Sequence, residues 1–171
     1  MKKYNTKFII TFVSITVVLV LLAVYFFRTY TPEGILWKNG ISSKEVMLIS
    51  KENYQFHHYL YEKNGEIKGI ITLQKKGWNL WSLYNHAYQQ KIESTDIEII
   101  KASYPTYKDN HLEHIPVWGG VVILGDEDSF SIRIKNKEQV PNLTAKIDGK
   151  MYFFYSSPDL NDGDKIEVTK P

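Results

Sequence analysis

The run that opens at Phe8 and closes at Phe27, FIITFVSITVVLVLLAVYFF, holds no charged residue and only three polar ones, Thr11, Ser14 and Thr16. In a helix each of those hydroxyls can bond back to a carbonyl one turn earlier. At about 1.5 Å per residue the run spans about 30 Å, the hydrocarbon thickness of a bilayer. It has no polar face, so it does not read as a core helix lying on the surface of a soluble domain. A cleaved signal peptide carries a shorter apolar region and small residues at its cut site. This run ends instead in Tyr25, Phe26, Phe27 and Arg28, and Tyr25 and Tyr30 stand where an interfacial aromatic belt belongs. Residues 8–27 are therefore expected to form an uncleaved transmembrane anchor that holds the chain in a lipid bilayer.

Charge gives the anchor a direction. Lys2, Lys3 and Lys7 precede it, Arg28 follows it, and no acid occurs before Glu33. Lysines on the N-terminal side predict that residues 1–7 are a cytoplasmic basic tail and that the rest of the chain is extracellular. All 19 acids lie in that remainder, which carries a slight negative excess although the whole chain is at +2. No Lys/Arg cluster points to nucleic acid. The chain has no cysteine, which removes disulfides, thiolate metal sites, thiol nucleophiles and lipoprotein attachment together. An exported domain without disulfides fits a Gram-positive surface better than an animal secretory pathway.

Beyond the anchor the pattern predicts an α+β chain: a short helix, then mainly antiparallel β-sheet in two small sub-units. Thr31-Pro32-Glu33 starts the short helix with a capping hydroxyl, a proline at the first position and an acid in the first turn, and Gly40 ends it. Asn64-Gly65 marks a type I′ hairpin turn. A plain two-residue turn there pairs Phe56 with Leu73, His58 with Ile71, and Leu60 with Gly69 on a buried face. Tyr61 with Lys68, Tyr59 with Ile70, and His57 with Thr72 then share a mostly polar face. Strands are also expected at 46–49, 78–84, 97–100, 117–124, 130–134, 143–147, 151–155 and 166–168. The polar stretch 103–112 reads as a long connection, dividing an α+β sub-unit at 31–102 from an all-β sub-unit at 113–171.

The order of anchor, Thr-Pro-Glu helix, Tyr-Leu-Tyr-Glu-Lys-Asn-Gly hairpin, Lys-Lys-Gly-Trp turn, Val-Trp-Gly-Gly-Val-Val strand and aromatic C-terminal hairpin resembles small membrane-anchored or exported proteins of Gram-positive spore-forming bacteria. The resemblance covers about residues 31–170 and implies an envelope location. It carries over no catalytic residue.

Few residues assemble into a recognisable chemistry. His111 and His114, with Glu113 between them, would share a face on a helix, but the spacing is that of no zinc peptidase, and the stretch reads as loop. His57 and His58 are adjacent on a strand, so they point to opposite faces and cannot chelate together. His58 reads as a satisfied histidine near the core. The acidic loop 159–164 lacks the EF-hand glycine and glutamate positions, and both it and 126–128 read as polar turns. Asn142-Leu143-Thr144 matches a glycosylation acceptor, a pattern that is common by chance. Gly119-Gly120 marks a bulge or a close approach. The ligand-binding candidates are Trp78, Trp81, Tyr84 and His86, since exposed rings and neighbouring amides suit glycans or peptides. Parity along a strand puts Trp78 and Trp81 on opposite faces, so at least one is core.

The reading is thus a non-catalytic accessory or interaction domain, binding an envelope protein or wall polymer, with no cofactor and no metal. The alternatives are a cell-envelope-modifying enzyme and an inhibitor or immunity protein at the membrane surface. Missing nucleophile and phosphate-binding motifs weigh against the enzyme.

Overall fold

The computed structural model describes residues 6–52, 54–89, 96–108, 111–124 and 129–170. The basic residues Lys2 and Lys3 and the acidic turn 126–128 lie outside them.

Helix α1 (Thr6–Tyr30) contains the apolar run. Its segment Phe8–Tyr30 contains an 18-residue window of mean hydropathy 2.8 in which no residue is buried. It is long and apolar enough to cross a membrane. Thr16 bonds back to the Phe12 carbonyl at 2.9 Å, so its hydroxyl is satisfied within the helix.

Helix α2 (Pro32–Lys38) is joined to α1 through Thr31 alone. The Thr31 hydroxyl accepts from Gly34 N at 3.1 Å and donates to the Phe27 carbonyl at 2.8 Å, capping one helix and closing the other. Gly34 meets the Phe27 and Arg28 backbone so closely that there is no room for a Cβ. At the far end Gly40 takes φ +75°, while Gly40 N bonds Trp37 O and Ile41 N bonds Leu36 O. This is the Schellman closure, and its apolar partners Leu36 and Ile41 are buried in one cluster.

Among the described residues eleven strands follow, all paired antiparallel. Strands β1 (Val46–Glu52), β2 (Phe56–Lys63), β3 (Glu66–Lys75) and β4 (Trp81–Tyr88) form a meander. A second sheet has the order β5 (Ile97–Lys108), β6 (His111–Ile123), β10 (Lys150–Ser156), β9 (Leu143–Ile147). A small third sheet contains β11 (Glu167–Thr169), β7 (Ser131–Ile134) and β8 (Lys137–Gln139). The architecture is α+β, as the pattern predicted.

The layers explain why several strands read as unbroken apolar runs. Phe56, Leu60, Ile67 and Ile70 of the first sheet pack on Ile100, Val117, Val121, Tyr152 and Phe154 of the second. The outer face of the first sheet is covered by Ile35 and Leu36 of α2. The outer face of the second is covered by Ile132 and Ile134 of the third. Both middle sheets are buried on both faces, so alternation disappears from β3, β6 and β10. At one end, Lys150 reaches Glu62 at 2.9 Å and the Gly65 carbonyl at 2.7 Å, and Tyr152 also donates to Glu62.

Asn64 and Gly65 occupy the turn with φ +58° and +83°, as their chemistry requires. The expected register holds for Lys63 with Glu66 and Glu62 with Ile67, and then fails. A bulge admits Lys68 as an extra residue, so Tyr61 faces Gly69 and every later pair shifts by one. Ile71 and Leu73 therefore join Tyr59 and Tyr61 under α2, while Ile70 and Thr72 go with Phe56, His58 and Leu60. The face expected to be polar is buried, because α2 covers it. The Tyr61 ring fills the space over Gly69, where a Cβ would lie 2.9 Å from Cε1. Gly65→Val, which forces a β-branched residue to positive φ, should destabilise the fold by about 1–2 kcal/mol. A urea titration of the full chain in detergent checks this, and an unchanged midpoint would mean the turn does not hold the hairpin.

Two further expectations are corrected. The stretch 103–112 is not a long connection. Residues 103–108 and 111–112 are strand, pairing from Ser103 with Pro116 out to Lys108 with His111. Strand β4 begins at Trp81 rather than 78, because Gly77 and Asn79 turn the chain at φ +64° and +62°. Gly119 and Gly120 are regularly paired with Phe154 and Phe153, so they mark close packing rather than a bulge.

Candidate functional site

The four ligand-binding candidates do not converge. Trp78 projects from the β3–β4 turn with 98% of its surface exposed, beside a shallow pocket of about 350 Å³ lined by Gln55, Lys75 and Asn79. Trp81 is only 8% exposed and packs in the cluster under α2. Trp78 lies in a turn, so strand parity does not govern the pair. A second bulge falls at Tyr84, since Leu83 pairs with Leu73 and Asn85 with Thr72. The Tyr84 ring sits edge-on to Phe56 at 5.5 Å. Past the bulge, His86 pairs with Ile71 on the α2 side, the same face as Leu83 and Leu73.

Around His86 the structure builds an arrangement that spacing alone does not reveal. Tyr61 Oη lies 2.9 Å from Nε2 and Tyr88 Oη 3.0 Å from Nδ1. Burial lowers the His86 pKa below its usual 6.5. A neutral imidazole donates from one nitrogen and accepts at the other, so one tyrosine accepts and the other donates. Burial, then Tyr88 and Glu45, push the Tyr61 hydroxyl up to about 12. With both ring nitrogens engaged, His86 bridges β2 to β4 and offers no lone pair to a metal. No short sequence motif announces it, because Tyr61 lies on β2 and His86 and Tyr88 on β4, with β3 between them.

His57 and His58 point to opposite faces, as expected. The His57 ring lies 4.2 Å from the Trp81 ring. His58 is fully buried between the two large sheets, with Nδ1 3.0 Å from Thr72 Oγ1. Its Nε2 has no hydrogen-bond partner among the described residues, so the expectation of a satisfied histidine holds for one nitrogen only. Desolvation, then the neighbouring His57, bring its pKa down to about 3.

His111 and His114 lie on β6 opposite Lys108 and Pro105, so the helix geometry that would let them share an ion does not arise. On a strand, residues three apart face opposite sides. No group of three or more metal-type ligands gathers among the described residues. The acidic loop 159–164 is answered by lysines. Lys101 pairs with Asp162 at 2.8 Å and Lys135 with Asp164 at 2.9 Å. The hydrogen bond and charge of Lys101 hold the Asp162 carboxyl below its usual range, and the Asn161 backbone N–H, then Lys135, do so for Asp164. This loop also borders a depression of about 940 Å³, with Ile99, Lys101 and Ile166.

Comparison of the chain with protein-family models, with curated proteins and with solved structures gives no match.

Proposed function

We propose that the chain is a non-catalytic, single-pass protein of a bacterial cell surface. Its N-terminus lies in the cytoplasm, and its β-rich part is an extracytoplasmic accessory or interaction domain for an envelope protein or wall polymer. The observation that carries this reading is α1, a helix whose apolar window lies unburied by protein yet is capped directly onto the folded part through Thr31. Such a surface is stable in lipid and costly in water. The lysines ahead of it support the orientation. The resemblance to exported proteins of Gram-positive spore formers fits the same address.

Trp78 is the ring best placed to meet a partner, being almost wholly exposed beside a polar pocket. Trp81 and Trp118 are buried and cannot serve as contact points. A photo-activated phenylalanine analogue placed at position 78 in cells should give a discrete adduct with an envelope component. The same analogue at the exposed position 137 is the control. No adduct from 78, or the same adducts from both positions, would remove Trp78 from the reading.

A further inference from the structure

We propose that the junction of α1 and α2 binds one anionic phospholipid, with its headgroup phosphate between Arg28 and Lys38 and an acyl chain along Leu21, Val24 and Tyr25. The proposal rests on the reading that α1 spans a membrane.

A pocket of about 350 Å³ is lined by Leu21, Val24, Tyr25, Arg28, Thr29 and Lys38. Its composition is split along the helix axis. Residues 21, 24, 25 and 28 fall on one helical face at spacings of three, four and seven, so they form a stripe rather than a ring. The lower end of the stripe is apolar and the upper end cationic. A hydrocarbon layer of about 30 Å takes up about 20 residues of helix. An anchor that begins at Phe8 therefore leaves the layer close to Arg28, where phosphate groups lie. Tyr25 and Trp37 are exposed at the same level, as interfacial aromatics are.

Helix α2 supplies the second cation. Gly34, with no side chain, lets α2 lie against the Phe27 and Arg28 backbone, and the C-terminal residue of α2, Lys38, reaches the pocket wall beside Thr29. The Arg28 guanidinium carbon lies 4.2 Å from the Trp37 ring centroid. A guanidinium held over an aromatic ring in this way keeps N–H donors for a phosphate. Among the described residues neither Arg28 nor Lys38 takes part in an ion pair, in contrast to Lys101, Lys135 and Lys150. Two unpaired cations above an apolar stripe are complementary to a molecule that is anionic at one end and apolar at the other. A soluble anion would use only the upper half.

The test uses the full chain in lipid nanodiscs of mixed phosphatidylglycerol and phosphatidylcholine, with the lipid retained on release into detergent read by native mass spectrometry. The wild-type protein should retain one phosphatidylglycerol with about tenfold preference over phosphatidylcholine. Arg28→Gln combined with Lys38→Gln should lose that preference while keeping the wild-type melting temperature. Lys38→Glu alone should reduce it. Glycerol phosphate at millimolar concentration should not displace the lipid. Equal retention of both lipids, a preference that survives the double substitution, or displacement by glycerol phosphate would each overturn the proposal. A failure of the membrane reading looks different: the protein would not enter nanodiscs and would be released from membranes by alkaline carbonate.

Discussion

Gly120→Val should cost the fold about 3 kcal/mol or more, because both neighbours of the new side chain are already in place. A Cβ at this position would press on the Glu98 carbonyl oxygen of β5 and lie 2.7 Å from Phe153 Cε1 of β10. The first obstacle is backbone in a paired strand, which cannot turn aside as a side chain can. Gly119 provides the internal comparison. There a Cβ meets only side chains, Phe154 Cε1 at 2.8 Å and Ile70 Cδ1 at 2.9 Å. Gly119→Ala should therefore cost less, about 1–2 kcal/mol. Urea unfolding of the full chain in detergent, followed by tryptophan fluorescence, measures both. Equal or reversed costs would contradict the packing of β5, β6 and β10.

Acid should weaken the fold through His58. Its pKa lies at about 3 in the folded chain against 6.5 for an exposed histidine. Below about 6.5 the unfolded chain takes up a proton at this residue and the folded chain does not, so unfolding is favoured as pH falls. The loss is about 1.4 kcal/mol per pH unit through that window, and above it this contribution is flat. His57 and His86, whose pKa values burial also lowers, act in the same direction. Carboxylates such as Asp162 and Asp164 lose their pairing only further down, so a comparison of pH 7 with pH 5 isolates the histidines. The double substitution His58→Leu with Thr72→Val removes both buried polar partners together and should flatten most of the slope. A slope that persists unchanged would mean that His58 is not its source.

How much of this fold could be read beforehand depended on how local its cause was. The apolar helix α1, the Thr31 cap, the Gly40 closure and the Asn64-Gly65 turn are each specified by consecutive residues, and each is in place. The hairpin register is not local. It depends on a bulge at Lys68, where the Tyr61 ring covers Gly69, and on α2 burying a second face of β2 and β3. The arms of β5 and β6 beyond Tyr104 and Ile115 read as a connection in the sequence for the opposite reason. Tyr107, His111 and Leu112 remain exposed there, so backbone pairing forms the strands without any apolar alternation to announce them. The same limit applies to the site residues. Strand parity separated His57 from His58, but the Tyr61, His86 and Tyr88 bridge depends on two bulges and was out of reach. Trp78 and Trp81 were separated by a turn that Gly77 and Asn79 make, not by parity.

The proposed function requires α1 to cross a bilayer with the β-rich part outside. The chain has no cysteine, so a single introduced thiol reports its own position without ambiguity. Ser129 is exposed and lies in the β-rich part. With Ser129→Cys, an impermeant maleimide should label intact cells that lack or have lost an outer membrane, while Lys2→Cys should label only after lysis. Labelling of Lys2→Cys in intact cells, with Ser129→Cys protected until lysis, would contradict the account.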